Sequence, residues 1–441
     1  MAFIEKELCV ISESRFLQPS ESLLDGKERS AVIKQMCNIL NISTRNLRFP
    51  GGQPFSIRRH ELPNLNDGYF AALKSDGVRF MLFLTKDGDE YKSVMVDRLM
   101  NVYEIEIWAN DIFFEGSLFD GELIWDYSEN PPSLVYLIFD VLHIKGCSLI
   151  DKKYENRIFE ANNNIITDIP HFLNETDMDQ YIIEENKIFA HNNYHNMKLC
   201  IKKVLPINQL STIWESRNVV NHMNDGIIFT KNSVVTQNYE VYKWKPENTI
   251  DILFSFSNKE GSDANIYIRN GAKVELYKDV VINQVTYKFE IAENRMIQCI
   301  VQSEYNKDAD KIEFVAECIC NIDEEDHTIT IFPVKRRADK TSPNNITTVI
   351  ETIYNIIEDI KIEEVYKILS DSCNITDGTG GSNGRIDESN TESSEVKRAD
   401  DSPKGKGSPP AHHTAVSANE RETSKRVPRR VGDKKAKDES Q

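Results

Sequence analysis

From Asp371 to Gln441 the chain contains no Leu, Phe, Trp, Tyr or Met, and the segment is filled with Ser, Gly, Pro, Lys, Arg and acidic residues. Such a stretch has too little apolar surface to bury to offset the entropy of ordering itself. A disordered tail over 371–441 is therefore expected, with the folded body confined to residues 1–370. Basic and acidic residues cancel within the tail, so the formal net charge of −17 lies wholly on that body. An acidic body argues against broad nonspecific nucleic-acid binding, and a phosphate ligand must be held by a local cationic pocket. The body is long enough for two ordinary domains.

No run of apolar residues is long enough for a membrane-spanning helix. Met1 to Val10 lacks a basic stretch followed by an apolar run, so no secretory signal is expected. The eight cysteines form no CxxC pair and have no His at zinc-ligand spacing; inert core thiols in a reducing compartment are expected. Lys425 to Lys437 holds most of the tail's bases, a pattern that suits nuclear import, RNA tethering or plain solvation. Gly378 to Gly384 has no strand before it and no helix after it, and reads as a linker, not a phosphate cradle.

Within the body, Val32, Ile33, Met36, Cys37 and Leu40 recur at helical spacing. From Tyr69 the pattern becomes that of strands, at 69–73, 80–84, 94–96, 135–141, 226–229 and 241–244. Helical segments interrupt it between about 160 and 219, which implies mixed sheets with helices on their faces. After Pro246, short strand-like runs at 274–277, 285–291, 312–319 and 328–334 suggest a small antiparallel barrel. A helix with the stripe Ile346, Val349, Ile350, Ile353 and Ile357 closes the body. The fold class is α+β, with domains at 1–248 and 249–370 and the tail at 371–441.

Five short segments carry candidate chemistry. Leu73-Lys74-Ser75-Asp76-Gly77-Val78-Arg79 sets a lysine at the end of one apolar strand and an arginine at the start of the next, which in most proteins is a hairpin with a charged rim. Asp120-Gly121-Glu122 puts two carboxylates on one strand face at period two. Tyr136 to Val141 is a buried strand in which Phe139 either packs or stacks on a base. Asp225-Gly226 repeats the acid–glycine–strand arrangement. Lys243-Trp244-Lys245-Pro246 puts two lysines on one strand face, where they repel unless the face is solvated or an anion lies opposite.

The order of these segments resembles motifs I, III, IIIa, IV and V of the covalent nucleotidyltransferase superfamily, which contains mRNA capping guanylyltransferases and ATP-dependent ligases. The resemblance covers about residues 45–345. Phe49-Pro50-Gly51-Gly52-Gln53-Pro54-Phe55-Ser56, Lys243 to Asp251 (KWKPENTID) and Arg337 to Asn344 (RADKTSPN) are similar to the capping enzymes within it. Departures are small: Phe55 stands where valine is usual, Gly52 where serine is usual, and Lys335 where arginine is common.

The resemblance implies a nucleotidyltransferase domain followed by an OB-fold barrel, and a guanylyltransferase. Lys74 would attack the α-phosphate of GTP, form a lysyl-GMP adduct and pass GMP to diphosphate-ended RNA. Burial and the cations Arg79, Lys243 and Lys245 are the expected means of easing the proton from Lys74. Arg98 would contact phosphate, with a surface ion pair to Asp97 as the plain alternative. Glu122 would meet the ribose hydroxyls and Phe139 the purine, while Asp120 orients its neighbours. Asp225 would bind a divalent cation, Mg2+ or Mn2+. Arg337, Asp339 and Lys340 would reach the β- and γ-phosphates when the barrel closes. A separate RNA triphosphatase and, in the nucleus, the phosphorylated tail of RNA polymerase II are implied partners; a viral factory or the cytoplasm is the alternative setting. An RNA or DNA ligase, or a noncatalytic RNA-binding scaffold, are the competing functions.

Overall fold

The computed structural model describes residues 24–46, 49–65, 68–105, 107–128, 130, 132–165, 188–190, 197–236, 239–256, 264–292, 312–337 and 340–377. Met1 to Val10, Asp339, the glycine-rich run at 378–384 and the basic cluster at 425–437 lie outside the described residues.

The first described helix, Gly26–Leu40, starts at Asp25, whose carboxylate accepts from the amides of Lys27 and Glu28, satisfying donors that a helix start leaves open. Val32, Met36 and Cys37 are buried on its inner face, as their spacing requires. They pack on the strand Val78–Asp87, which alternates between two cores. Phe80, Leu82 and Leu84 point into one cluster with Phe119 and Tyr136, and Met81 and Phe83 into the other, with the helix. Burial on both faces explains why this strand reads as an unbroken apolar run.

Among the described residues, a two-stranded ladder, Ile107–Ala109 with Ile188–Ala190, and two larger sheets make up the first body. One has the order Lys198–Ile201, Ser133–Ile144, Ser117–Asp126, Val78–Asp87, Glu90–Asp97 and Val102–Glu104, with Cys147–Ser148 paired to Ser133–Ile144. The other has the order Phe55–Ser56, Val241–Trp244, Asn224–Lys231, Tyr69–Ser75 and Leu205–Pro206. The Asp76-Gly77 step is thus no hairpin turn: Tyr69–Ser75 and Val78–Asp87 belong to different sheets, and the chain crosses between them just after Lys74.

The second body is a seven-stranded sheet in the order Lys273–Leu276, Ala264–Asn270, Thr249–Phe256, Ile312–Asp323, Thr328–Arg336, Val285–Ile291 and Asp279–Ile282. It is antiparallel but for one parallel pair, Val285–Ile291 with Thr328–Arg336. The helix Ile346–Glu358 buries Val349 and Ile353 against Ile250, Ile252, Phe254 and Phe314.

A further helix, Ile362–Asp377, is absent from the sequence reading, which ends the body at residue 370. It leaves the second core: Ile360, Ile362 and Val365 pack with Ile57, Leu62, Leu73, Ile227 and Trp244 of the first body. The Trp244 indole N–H donates to the Ile360 carbonyl at 2.8 Å, and Arg58 pairs with Glu358 at 2.9 Å. The chain therefore meets the first body twice, before and after the second sheet. No described helix is long and apolar enough to cross a membrane.

Candidate active site

Lys74 is the penultimate residue of Tyr69–Ser75. Its ammonium donates to Asp225 Oδ1 at 2.7 Å, and Lys245 Nζ lies 2.6 Å from Asp225 Oδ2. A bulge sets Asp225 there. The pairing of the two strands slips between Asn224↔Ser75 and Ile227↔Leu73, which leaves Asp225 and Gly226 opposite Lys74. Gly226 is needed because a Cβ on it would lie 2.0 Å from the Trp244 carbonyl oxygen. With no side chain in the way, the strand Val241–Trp244 comes close enough for Lys245, just past its end, to share Asp225.

Electrostatics here differ from the sequence expectation. Burial pulls Lys74 down, but the bonded Asp225 carboxylate, with Glu122 and Asp76, outweighs it and holds the lysine above its ordinary pKa. Lys243 is depressed instead: burial, then Lys245 and Lys74, push it to about 8, and burial lowers Lys202 as well. Burial would raise Asp225, but the two lysines on it hold the carboxyl below the usual range.

Arg79 is committed elsewhere. Its guanidinium grips Asp120 with two bonds, at 2.9 and 2.5 Å, and donates to the Gly52 carbonyl at 2.8 Å. It lies between the rings of Phe49 and Phe139, at 5.2 and 5.3 Å. Asp120 thus orients an arginine. Gly51, at φ 86°, lets the FPGGQPFS segment cover this pair, since a Cβ there would fall 2.2 Å from Asp120 Oδ2. The backbone of Phe139 is pinned: Tyr154 donates to its carbonyl at 2.8 Å, and Asp140 is held by two bonds from the buried Arg157, at 2.7 and 2.9 Å.

Lys202 went unseen in the sequence. It follows directly on the strand Lys198–Ile201, is 8% exposed, and puts its ammonium 3.5 Å from Glu122 Oε2 and 5.6 Å from the Phe139 ring centroid. Its only signal is a lysine pair closing an apolar run. Arg98 is exposed as a whole residue, yet desolvation of its guanidinium and then the charge of Arg79 lower its pKa. Asp97 does not pair with it, serving instead its own turn by accepting from the Leu99 and Asn101 amides at 2.9 and 2.8 Å.

Arg337 and Lys340 belong to a separate cluster. Arg337 donates to Asp251 Oδ1 at 3.0 Å, Lys340 binds the other oxygen, and Asn344 accepts from the Asp251 amide at 2.8 Å. The last residue of KWKPENTID thus gathers these cations on its own carboxylate. Among the described residues no three His, Cys, Asp or Glu side chains converge as a metal cage.

An amine at a cationic cleft, with an aromatic face and a carboxylate nearby, suits phosphoryl transfer from a nucleotide. The family model described as the mRNA capping enzyme catalytic domain matches residues 20–247, over half of the chain. This chain belongs to that family. The matched stretch of the capping-enzyme domain includes Lys74, Asp225, Lys243 and Lys245 and ends just before the second sheet. The mRNA-capping enzyme subunit alpha of Schizosaccharomyces pombe is 25% identical over 395 residues, covering 83% of this chain and 89% of the relative. That of Kluyveromyces lactis is 26% identical over 255 residues, 51% of each, so the match spans about half of that relative. Among solved structures, mycobacterial DNA ligase D complexed with ATP and MES overlaps 68% of this chain and 97% of that one, at 10% identity and a TM-score of 0.34.

Proposed function

We infer that this protein is an mRNA guanylyltransferase. The observation that carries the reading is Lys74 bound to Asp225 beside Lys243 and Lys245, within a capping-enzyme catalytic domain. Lys74 gives up one proton to water, its neutral Nζ attacks the α-phosphorus of GTP, and a second proton leaves the nitrogen to water as the P–N bond forms. The bond to the bridging oxygen breaks and pyrophosphate leaves, with GMP held on the lysine nitrogen. A terminal oxygen of diphosphate-ended RNA then attacks that phosphorus, the P–N bond breaks, and Lys74 takes back both protons.

Lys243 and Lys245 stabilise charge on the α-phosphate, where losing one such donor costs about 10²- to 10³-fold in rate. Phe139 stacks on guanine and Glu122 meets the ribose hydroxyls. Lys202, beside that ring, offers a donor to the O6 and N7 acceptors of guanine. Arg98 contacts phosphate. Arg79, locked by Asp120, supports the Phe139 face and lends charge to the phosphate side.

A Mg2+ or Mn2+ ion with the phosphates is part of this reading. One carboxylate plus phosphate oxygens is an ordinary set for such an ion, and Asp225 would be its protein ligand, the metal supplying charge neutralisation. We read the second sheet as an OB-fold that closes so that Arg337, Asp339 and Lys340 reach the β- and γ-phosphates. We assign the RNA triphosphatase step to a separate chain, recruitment to the phosphorylated tail of RNA polymerase II, and the location to the nucleus.

The test is incubation with α-labelled GTP or ATP and a divalent metal, then denaturing electrophoresis, on wild type and Lys74→Ala. Label from GTP, lost in the variant and discharged by pyrophosphate or diphosphate-ended RNA, is expected. Label from ATP instead would make the protein a ligase, and no label from either would leave a binding role.

A further inference from the structure

Among the described residues, the strand Tyr69–Ser75 has no one-to-one ladder partner at Lys74 itself, which faces the bulged pair Asp225 and Gly226. On one side the ladder runs Leu73↔Ile227 and then Asn224↔Ser75, skipping Lys74. On the other side Leu205–Pro206 reaches only Ala71 and Phe70. A bulge sets two residues against one and disrupts the ladder locally, so besides its bond to Asp225 the placing of Lys74 rests on how the chain is fastened on either side.

After Lys74 the chain is fastened by the short segment His222–Asn224. The Ser75 hydroxyl, completely buried, lies 3.0 Å from His222 Nε2. The Asp76 amide donates to the Met223 carbonyl at 2.9 Å, and Asn224 is the register partner of Ser75. Only the first of these is made by side chains, so only it depends on the choice of residue at 222. Two charged groups face the imidazole, Lys202 and Asp126. Burial and then Lys202 hold it below its ordinary pKa, with Asp126 working the other way, so it stays neutral at physiological pH and keeps one ring nitrogen as an acceptor.

We propose that His222 is a positioning residue for the reaction: by clasping Ser75 it fixes the chain where the ladder lapses, and so keeps Lys74 aimed at the α-phosphate. The inference rests on the reading of Lys74 as the nucleophile. It gives a role to a histidine and a buried serine to which the proposed reaction otherwise assigns none.

The experiment uses the full chain as wild type, His222→Ala, His222→Gln, Ser75→Ala and the double variant with alanine at both sites. Adduct formation is followed across GTP concentrations. In parallel, without nucleotide, the rate of reductive methylation of Lys74 is read by mass spectrometry. His222→Ala should slow adduct formation at saturating GTP by about 10- to 100-fold, as small misplacements of a reacting group do, with KM for GTP unchanged. Glutamine, whose amide reaches the place of Nε2, should restore most of the rate. Adding Ser75→Ala to His222→Ala should cost little more than either alone, since both break one contact. Lys74 methylation should change in His222→Ala and return in His222→Gln.

An unchanged adduct rate with unchanged methylation, a raised KM with the maximal rate intact, or a folded His222→Gln that restores nothing would overturn the proposal. A wild type that takes no GMP would defeat the guanylyltransferase reading, while the methylation rates would still decide whether His222 positions Lys74.

Discussion

The Lys74 ammonium and the Asp225 carboxylate lie 2.7 Å apart, so the lysine we propose as the nucleophile rests as a bound cation. On that proposal its reactivity depends on GTP drawing it away from its counter-ion, not on a lysine already neutral. Asp225→Asn keeps the shape and removes the charge. Adduct formation should fall by about 10²-fold or more. Stability should fall by about 1–2 kcal/mol, discounted because Asp225 is 32% exposed. Adduct assays and urea denaturation check both, and a variant with wild-type adduct formation would remove Asp225 from the site.

Lys243 is a lysine that burial and its neighbours depress, to about 8, against about 10.4 for an unfolded chain. Between those values the unfolded state binds more protons, so stability rises with pH across the window. The gain is complete above about 10.4 and is lost as pH falls through about 8. Lys243→Met should therefore be more stable than wild type at neutral pH, on the order of 1–3 kcal/mol, and lack that rise. It should also form adduct about 10²- to 10³-fold more slowly. Denaturant unfolding below and within the window is the check, and an equal rise in the variant would point to other groups.

What the sequence revealed of this site follows from local rules. Strand alternation puts Lys243 and Lys245 on one face, and Asp120 with Glu122 on another, before any fold is known. Partnership is nonlocal and was not legible: Arg79 is gripped by Asp120, and Arg337 and Lys340 by Asp251. Lys202 was missed because a lysine directly after a strand looks the same whether it meets solvent or the Phe139 ring. Asp76-Gly77 reads locally as a hairpin, yet sheet membership is fixed by strands far away in sequence. The stripe Ile362, Val365, Tyr366 and Leu369 gives a helix an apolar face without saying which core receives it.

Lys202 yields a prediction about base choice. Its ammonium, beside Phe139, is a donor in a buried setting, and guanine presents two acceptors where adenine presents an acceptor and a donor. Lys202→Met should raise KM for GTP and narrow the preference for GTP over ATP by about 10-fold or more, the scale of one good base contact. Competition between labelled GTP and ATP for adduct formation reads this directly. A preference that survives the substitution would take the base edge away from Lys202.

Asp251 binds Arg337 at 3.0 Å and also holds Lys340, which keeps both cations in the second body. If closure carries them to the β- and γ-phosphates, they serve only the step in which those phosphates leave. Arg337→Ala should then abolish adduct formation from GTP, while GMP transfer to RNA from an adduct already in place proceeds at the wild-type rate. The variant should fold, because Lys340 and Asn344 remain on Asp251. The two half-reactions are measured apart by loading Lys74 through the reverse route, from capped RNA, before adding diphosphate-ended RNA. An equal loss in both would mean that Arg337 acts on the fold or on the α-phosphate, and closure would no longer be the reason for its place in the chain.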